Sequence, residues 1–229
     1  MRIYRVDGGG NMDVKLEKMA DFFDARLDEY DNHQLTCIES AKEFFQYTAD
    51  LLPKGECSVL DLGCGTGLEL EYYFSVNQNA KVTGIDIAPG MLKTLKNKFL
   101  DKDIKLVLGS YFDVTFELNF YDAVVSVESL HHFTKNKKIE LYKKVFKALK
   151  ENGYLVLTDY FSLTDEEEIM HKHSYEILKK EQGINDEEFY HYDTPLTVSH
   201  ECEAIIEAGF SKVEILKKWG QTFTIRAFK

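Results

Sequence analysis

Ser58-Val59-Leu60-Asp61-Leu62-Gly63-Cys64-Gly65-Thr66-Gly67 is the stretch on which the reading of this chain turns. Val59, Leu60 and Leu62 form a short apolar run of the kind that lies buried in a parallel sheet. The run stops at three glycines spaced Gly-x-Gly-x-Gly, and Leu68, Leu70, Tyr72 and Phe74 then recur among acids in a helical pattern. Strand, glycine turn and helix in that order make a nucleotide-type cradle. Glycine lets the backbone pass through positive φ and come close to a ligand. The helix N-terminus then offers N–H groups that have no partner inside the helix.

A second apolar run, Lys81-Val82-Thr83-Gly84-Ile85-Asp86, ends in an acid nineteen residues after Gly67. In a doubly wound sheet a carboxylate there reaches ribose hydroxyls. The dinucleotide fingerprint requires its third glycine three positions after the second, and Leu68 stands there, so NAD or FAD fits poorly.

At these residues the chain resembles the class I S-adenosylmethionine (SAM)-dependent methyltransferases. Asp61-Leu62-Gly63-Cys64-Gly65-Thr66-Gly67 looks like their first motif and Gly84-Ile85-Asp86 like their second. The resemblance runs from about Ile38 to the end in the order of elements. It implies a Rossmann-like, doubly wound α/β fold with seven strands, mostly parallel with an antiparallel C-terminal strand, plus N-terminal helices and a helical lid insertion. It also implies SAM as cofactor. Asp61, Gly63, Gly65 and Gly67 would shape the methionine and ribose end, Asp86 would hold the ribose, and Ile87 would lie against adenine. Met91 and Val127 join the expected cofactor contacts. Gly109, Ser110 and Tyr111 would border the adenine, although the family usually carries an acid where this chain has Ser110. Tyr30, near the end of Phe22 to Asp31, matches a segment that closes over the methionine part in many small-molecule methyltransferases. Its ring suits a sulfonium cation; a plain core aromatic is the competing reading.

The 229 residues suffice for one α/β domain. The expected division is 1–37 as arm and cap helix, 38–160 as SAM-binding core, 161–196 as lid, and 197–229 as closing helix and two strands. A formal charge of -11 opposes a surface that wraps nucleic acid, because phosphate binding requires a basic field. Cys37, Cys57, Cys64 and Cys202 include no Cys-x-x-Cys pair and read as reduced thiols in a cytoplasmic protein. No apolar run is long enough to span a membrane, and no signal peptide is read at Met1.

In chain order, Met1 to Asn11 reads as an arm carrying Gly8-Gly9-Gly10. A helix follows from Met12, with Leu16, Met19, Phe23, Leu27 and Tyr30 on one face. Further helices are expected from Glu39 to Leu52, from the glycine loop to Val76, and from Pro89 with Met91, Leu92, Leu95 and Phe99 buried. Lys93, Lys96 and Lys98 read as solvated surface. Strands are expected at 104–110, 120–128 and 154–159. The helix Asn136 to Lys150 is stopped by Glu151-Asn152-Gly153. Thr197 caps a helix burying Val198, Cys202, Ile205 and Ile206, and Lys212 to Trp219 pairs with Thr222 to Phe228.

Methyl transfer leaves the protein chiefly to position the acceptor. A general base is needed only where the acceptor is protonated at neutral pH. The candidate cluster is Glu128-Ser129-Leu130-His131-His132-Phe133, at the mouth of the sheet. His131 and His132 are open to three roles: structural or acceptor-orienting, general base, or metal ligands together with Glu128. The metal reading is the less favoured one. His171 and His173 could join such a site from the lid, but His-x-His on a helix splays the two rings, so a surface pair is the favoured reading; Asp159 and Tyr160 could line the acceptor pocket. The reading is a methyltransferase for a small-molecule acceptor, monomer or homodimer, with no membrane partner. Methylation of tRNA or another macromolecule, and a non-catalytic SAM-binding regulator, are the alternatives.

Overall fold

The computed structural model describes residues 14–185 and 187–229. The expected arm, and the helix start at Met12, lie outside the described residues. Seven strands form one sheet: β1 (Ser58–Leu62), β2 (Lys81–Asp86), β3 (Ile104–Leu108), β4 (Tyr121–Val127), β5 (Leu149–Tyr160), β6 (Lys212–Trp219) and β7 (Thr222–Phe228). Their order is β3-β2-β1-β4-β5-β7-β6. The first five run parallel, and β7 lies antiparallel between β5 and β6. The order reverses at β1, so the crevice above β1 and β4 is the topological switch point where ligands bind in such sheets.

Both faces are covered, which explains the unbroken apolar strands. Alternate residues point to opposite faces. Leu60, Leu62, Val124, Leu155 and Leu157 pack on one side with α6 (Lys135–Ala148) and α8 (Val198–Glu207). Val59, Val125 and Val156 pack on the other with α3 (Ala41–Asp50), α4 (Leu68–Val76) and α5 (Pro89–Lys98).

Four sequence expectations need correction. The N-terminal helix is two helices, α1 (Met19–Asp24) and α2 (Leu27–Cys37), and Leu16 precedes both. Arg26 breaks the run: its backbone leaves helical geometry, and its guanidinium turns back to Phe22 O at 2.9 Å and to Glu17 at 2.8 Å. The Glu151-Asn152-Gly153 stop lies inside β5, because Leu149 is already extended and pairs with Tyr121. Asn152 takes the left-handed conformation there, φ 66°. On α8, Ile206 is 49% exposed while Glu201 is fully buried. Burial of that carboxylate is offset by Lys138 Nζ at 2.5 Å and by the Tyr142 hydroxyl, both donating to it. Lys98 is not simply solvated: it bridges Asp31 of α2 (2.6 Å) and Glu71 of α4 (2.7 Å).

The 161–196 segment contains α7 (Asp165–Glu181), capped by Thr164, followed by an extended strap. The strap runs back over the sheet mouth beside the N-terminal segment. Met19 N donates to Phe189 O and His191 N to Glu17 O, each at 2.9 Å, around an antiparallel bridge between Lys18 and Tyr190.

Candidate active site

The glycine loop forms as its spacing requires. Gly63, Gly65 and Gly67 hold φ of 74°, 49° and 78°, where a side chain is strained. Space adds to the demand at Gly63, since a Cβ there would lie 2.7 Å from Ser129 Cβ. Asp86, at the end of β2, ties the loop down. Its Oδ2 accepts from Gly65 N at 2.9 Å and its Oδ1 from Ala88 N at 2.8 Å. Burial raises its pKa, and those N–H donors oppose the rise.

A crevice opens above this loop. Of the residues expected at the cofactor, Tyr30, Gly63, Gly65, Asp86, Ile87 and Met91 are on its wall, as are Gly109, Ser110 and Tyr111. Asp61, Gly67 and Val127 are not. Gly67 lies under Leu95 and Phe99 at the start of α4. Asp61 is buried behind the loop beside Glu69. Burial, then the neighbouring Glu69, raises its pKa, and burial likewise raises that of Glu69. Met19, Phe23, Ser129 and Phe189 also line the crevice. They went unread as contacts because they reach it from α1, the strap and the turn after β4.

Beyond the crevice lies a second cavity of about 300 Å³. Phe23, Tyr30, Glu128 and His132 border both spaces. The rest of its wall includes Arg26, His33, His131, Tyr160, His191 and Asp193. His33 and Gln34 also line this space, while His33 Nε2 and Gln34 Oε1 themselves are buried away from solvent without a hydrogen-bond partner among the described residues. Glu128 holds φ 49° immediately after β4 and accepts a hydrogen bond from the Thr222 hydroxyl at 3.1 Å. Such a backbone is costly for a non-glycine residue and clusters at functional sites.

His131 and His132 are adjacent on a single 3-10 turn, Leu130–His132, and are both buried. Their environments differ. His131 Nδ1 lies 2.5 Å from Asp159 Oδ1, and its Nε2 lies 3.5 Å from Asp193 Oδ1. Burial alone would lower its pKa, but Asp159, Asp193 and Glu128 outweigh burial and hold it at about 9. His132 goes the other way: burial, then the charge on His131, lowers its pKa despite Asp193. His132 Nδ1 lies 3.2 Å from both Tyr192 O and Asp193 Oδ1. A neutral imidazole whose Nδ1 donates there keeps its lone pair on Nε2. His191 stacks on Phe22 at 3.5 Å, and burial drives its pKa down to about 2.

The expected trio of Glu128, His131 and His132 is not one group. Ligand atoms gather instead as His131, His132 and Asp193, and as Glu128, His131 and Asp159. Both imidazoles stand beside Asp193, and only His131 also reaches Asp159. Asp159 is also engaged, accepting from Leu130 N at 2.8 Å and Tyr160 N at 2.9 Å. Asp159 is thus held in a hydrogen-bonded network, whereas Asp193 Oδ1 lies close to both imidazoles without a hydrogen bond among the described residues. His171 stands beside Glu167 on α7 and His173 is exposed; neither is on the wall of the two cavities. Asp159 was read as a pocket-lining residue but sits behind His131. Asp193 and His191 had no signal beyond their place among the strap's histidines and aromatics.

Comparisons with known proteins agree with this geometry. A family model described as "Methyltransferase domain" matches residues 59–153. A carboxy-S-adenosyl-L-methionine synthase of Campylobacter fetus is 27% identical over 186 residues, covering 75% of this chain and 76% of that protein. A malonyl-[acyl-carrier protein] O-methyltransferase of Acetivibrio thermocellus is 32% identical over 141 residues, 61% of this chain and 47% of that one. The solved DhpI–SAH complex shares the fold with a TM-score of 0.68 at 16% identity, over 91% of this chain and 93% of that one.

Proposed function

Because this chain belongs to the class I SAM-dependent methyltransferases, we propose that it methylates a small polar molecule held in the second cavity. The observation that carries this reading is the shared wall: Phe23, Tyr30, Glu128 and His132 border both the crevice and the 300 Å³ space. That volume is at the lower end for small-molecule sites, and residues of α1 and the strap line it from above.

The crevice residues fit the cofactor. Gly63 and Gly65 bring backbone to its floor, and each Asp86 oxygen keeps a lone pair for a ribose hydroxyl after serving Gly65 N or Ala88 N. Ile87, Gly109, Ser110 and Tyr111 flank the adenine end. Tyr30 and Glu128 offer an aromatic ring and a carboxylate toward a cation. When bound, SAM supplies a methyl on a positively charged sulfur, an electrophile that needs no further activation.

The protein's own part is orientation and one proton. His132, neutral and held at Nδ1, presents Nε2 as a base toward a hydroxyl or ammonium group of the acceptor. His131, already protonated between two carboxylates, serves as a fixed donor and support. No helix of the described residues is long and apolar enough to cross a membrane.

The test is incubation with SAM and a panel of small hydroxy, amino and carboxy compounds, read by mass spectrometry of both products. The expected result is S-adenosylhomocysteine together with one acceptor carrying an added methyl. SAM that binds without turnover across the panel overturns the reading. A carboxylated sulfonium as the nucleoside product moves it to the chemistry named for the Campylobacter relative.

A further inference from the structure

Helix α7 has no buried residue along its 17 positions, although its sequence is amphipathic. At 100° per residue, Glu166, Ile169, His173, Ile177 and Lys180 lie within about 40° of one direction. All five are exposed. Ile169 is 66% exposed and Ile177 42%, with Met170 at 44% on the same side. Glu167, Glu168, His171, Tyr175 and Leu178 point the other way and are half-buried against the body of the protein. The outward stripe is therefore the apolar one, which marks a contact surface.

The stripe is also a palindrome about His173. Glu166 lies seven positions before it and Lys180 seven after; Ile169 lies four before and Ile177 four after. We propose that α7 packs antiparallel against the α7 of a second copy of this chain, about a two-fold axis through His173. Two-fold contacts pair residue i with j and j with i. That operation sets Ile169 on Ile177 of the copy and Glu166 beside Lys180 of the copy, each pair formed twice. The acidic N-terminus of α7, Asp165 to Glu168, then meets the basic C-terminus, Lys179 and Lys180, and the two helix dipoles oppose. Self-complementarity of both charge and apolar position is what singles out a second copy over an unrelated partner. The contact is one helix wide, at the small end for interfaces, so it dissociates on dilution.

The test is sedimentation equilibrium of the full chain across a concentration series reaching the high micromolar range. The expected result is a reversible monomer–dimer equilibrium. Ile169→Lys with Ile177→Lys should give the single-chain mass throughout, with unchanged helical circular dichroism. Glu166→Lys alone or Lys180→Glu alone should weaken the dimer roughly tenfold, since each reverses two ion pairs per dimer, and the two together should restore it. His173→Cys should cross-link to its copy under mild oxidation, above the level set by the exposed Cys37 in the wild type. A wild-type chain that stays single throughout overturns the proposal, as does a double reversal that recovers nothing.

Discussion

His131 Nδ1 and Asp159 Oδ1 are 2.5 Å apart in a site where neither side chain is more than one-tenth exposed. The pair is an ion pair across the neutral range. The folded pKa of His131, about 9 against an ordinary 6.5, makes it a source of stability that is complete below pH 6.5 and lost as pH rises through 9. The rise corresponds to at most about 3 kcal/mol. Urea denaturation should therefore show stability falling over that interval. His131→Asn should flatten the profile there, and a wild type already flat from pH 6.5 to 9 removes the ion pair.

His132 should behave differently. His132→Ala is expected to lower kcat by roughly 10²- to 10⁴-fold, as loss of a general base does, with SAM affinity little changed by calorimetry. Asp193→Asn should lower the plateau rate and move the acid limb of the pH–rate profile to lower pH, because Asp193 raises the pKa of His132. A limb that moves upward contradicts the assignment.

Asp86→Asn removes a carboxylate that serves Gly65 N and Ala88 N as well as the proposed ribose contact. A charge-assisted hydrogen bond contributes about 1.5–3 kcal/mol, so the SAM dissociation constant should rise roughly 10- to 100-fold. Isothermal titration measures it, and circular dichroism checks that the sheet persists. Unchanged affinity removes the ribose assignment.

Gly63→Ala meets two penalties, a φ of 74° and a Cβ 2.7 Å from Ser129 Cβ. Gly55, at φ 84° with nothing within 4 Å, meets only the first. Gly55→Ala should therefore cost about 1–2 kcal/mol, and Gly63→Ala clearly more, together with SAM binding. Thermal melts of the two variants compare them directly.

Lys138 and Glu201 form a buried pair, 2% and 0% exposed. Removing one partner strands the other. Lys138→Met alone should destabilise by about 3–5 kcal/mol, and the double change with Glu201→Leu by much less. Denaturation midpoints read the difference.

The residues of the crevice were legible because their logic is local. Ser58 to Gly67 is strand, turn and helix start in ten residues, and Asp86 closes the next strand. Periodicity did not reveal the break at Arg26, since the apolar spacing of Met19, Phe23, Leu27 and Tyr30 runs straight through it. Glu201 was passed over for Ile206 because a carboxylate is expected outside; only its partners on α6, some sixty residues earlier, make it a core residue. The same holds for Asp193. Nothing near it in sequence marks its role, which comes from a strap folded back over a turn made sixty residues before.

That strap and the N-terminal segment are stitched together by Met19 N to Phe189 O and His191 N to Glu17 O, and they cover both compartments as a single flap. Moving as one piece, such a flap would uncover both ligand spaces together. Each catalytic cycle should begin and end with the whole interior exposed to solvent. Spent nucleoside and finished product would then leave through the same opening, and the pace of that opening would set the ceiling on turnover.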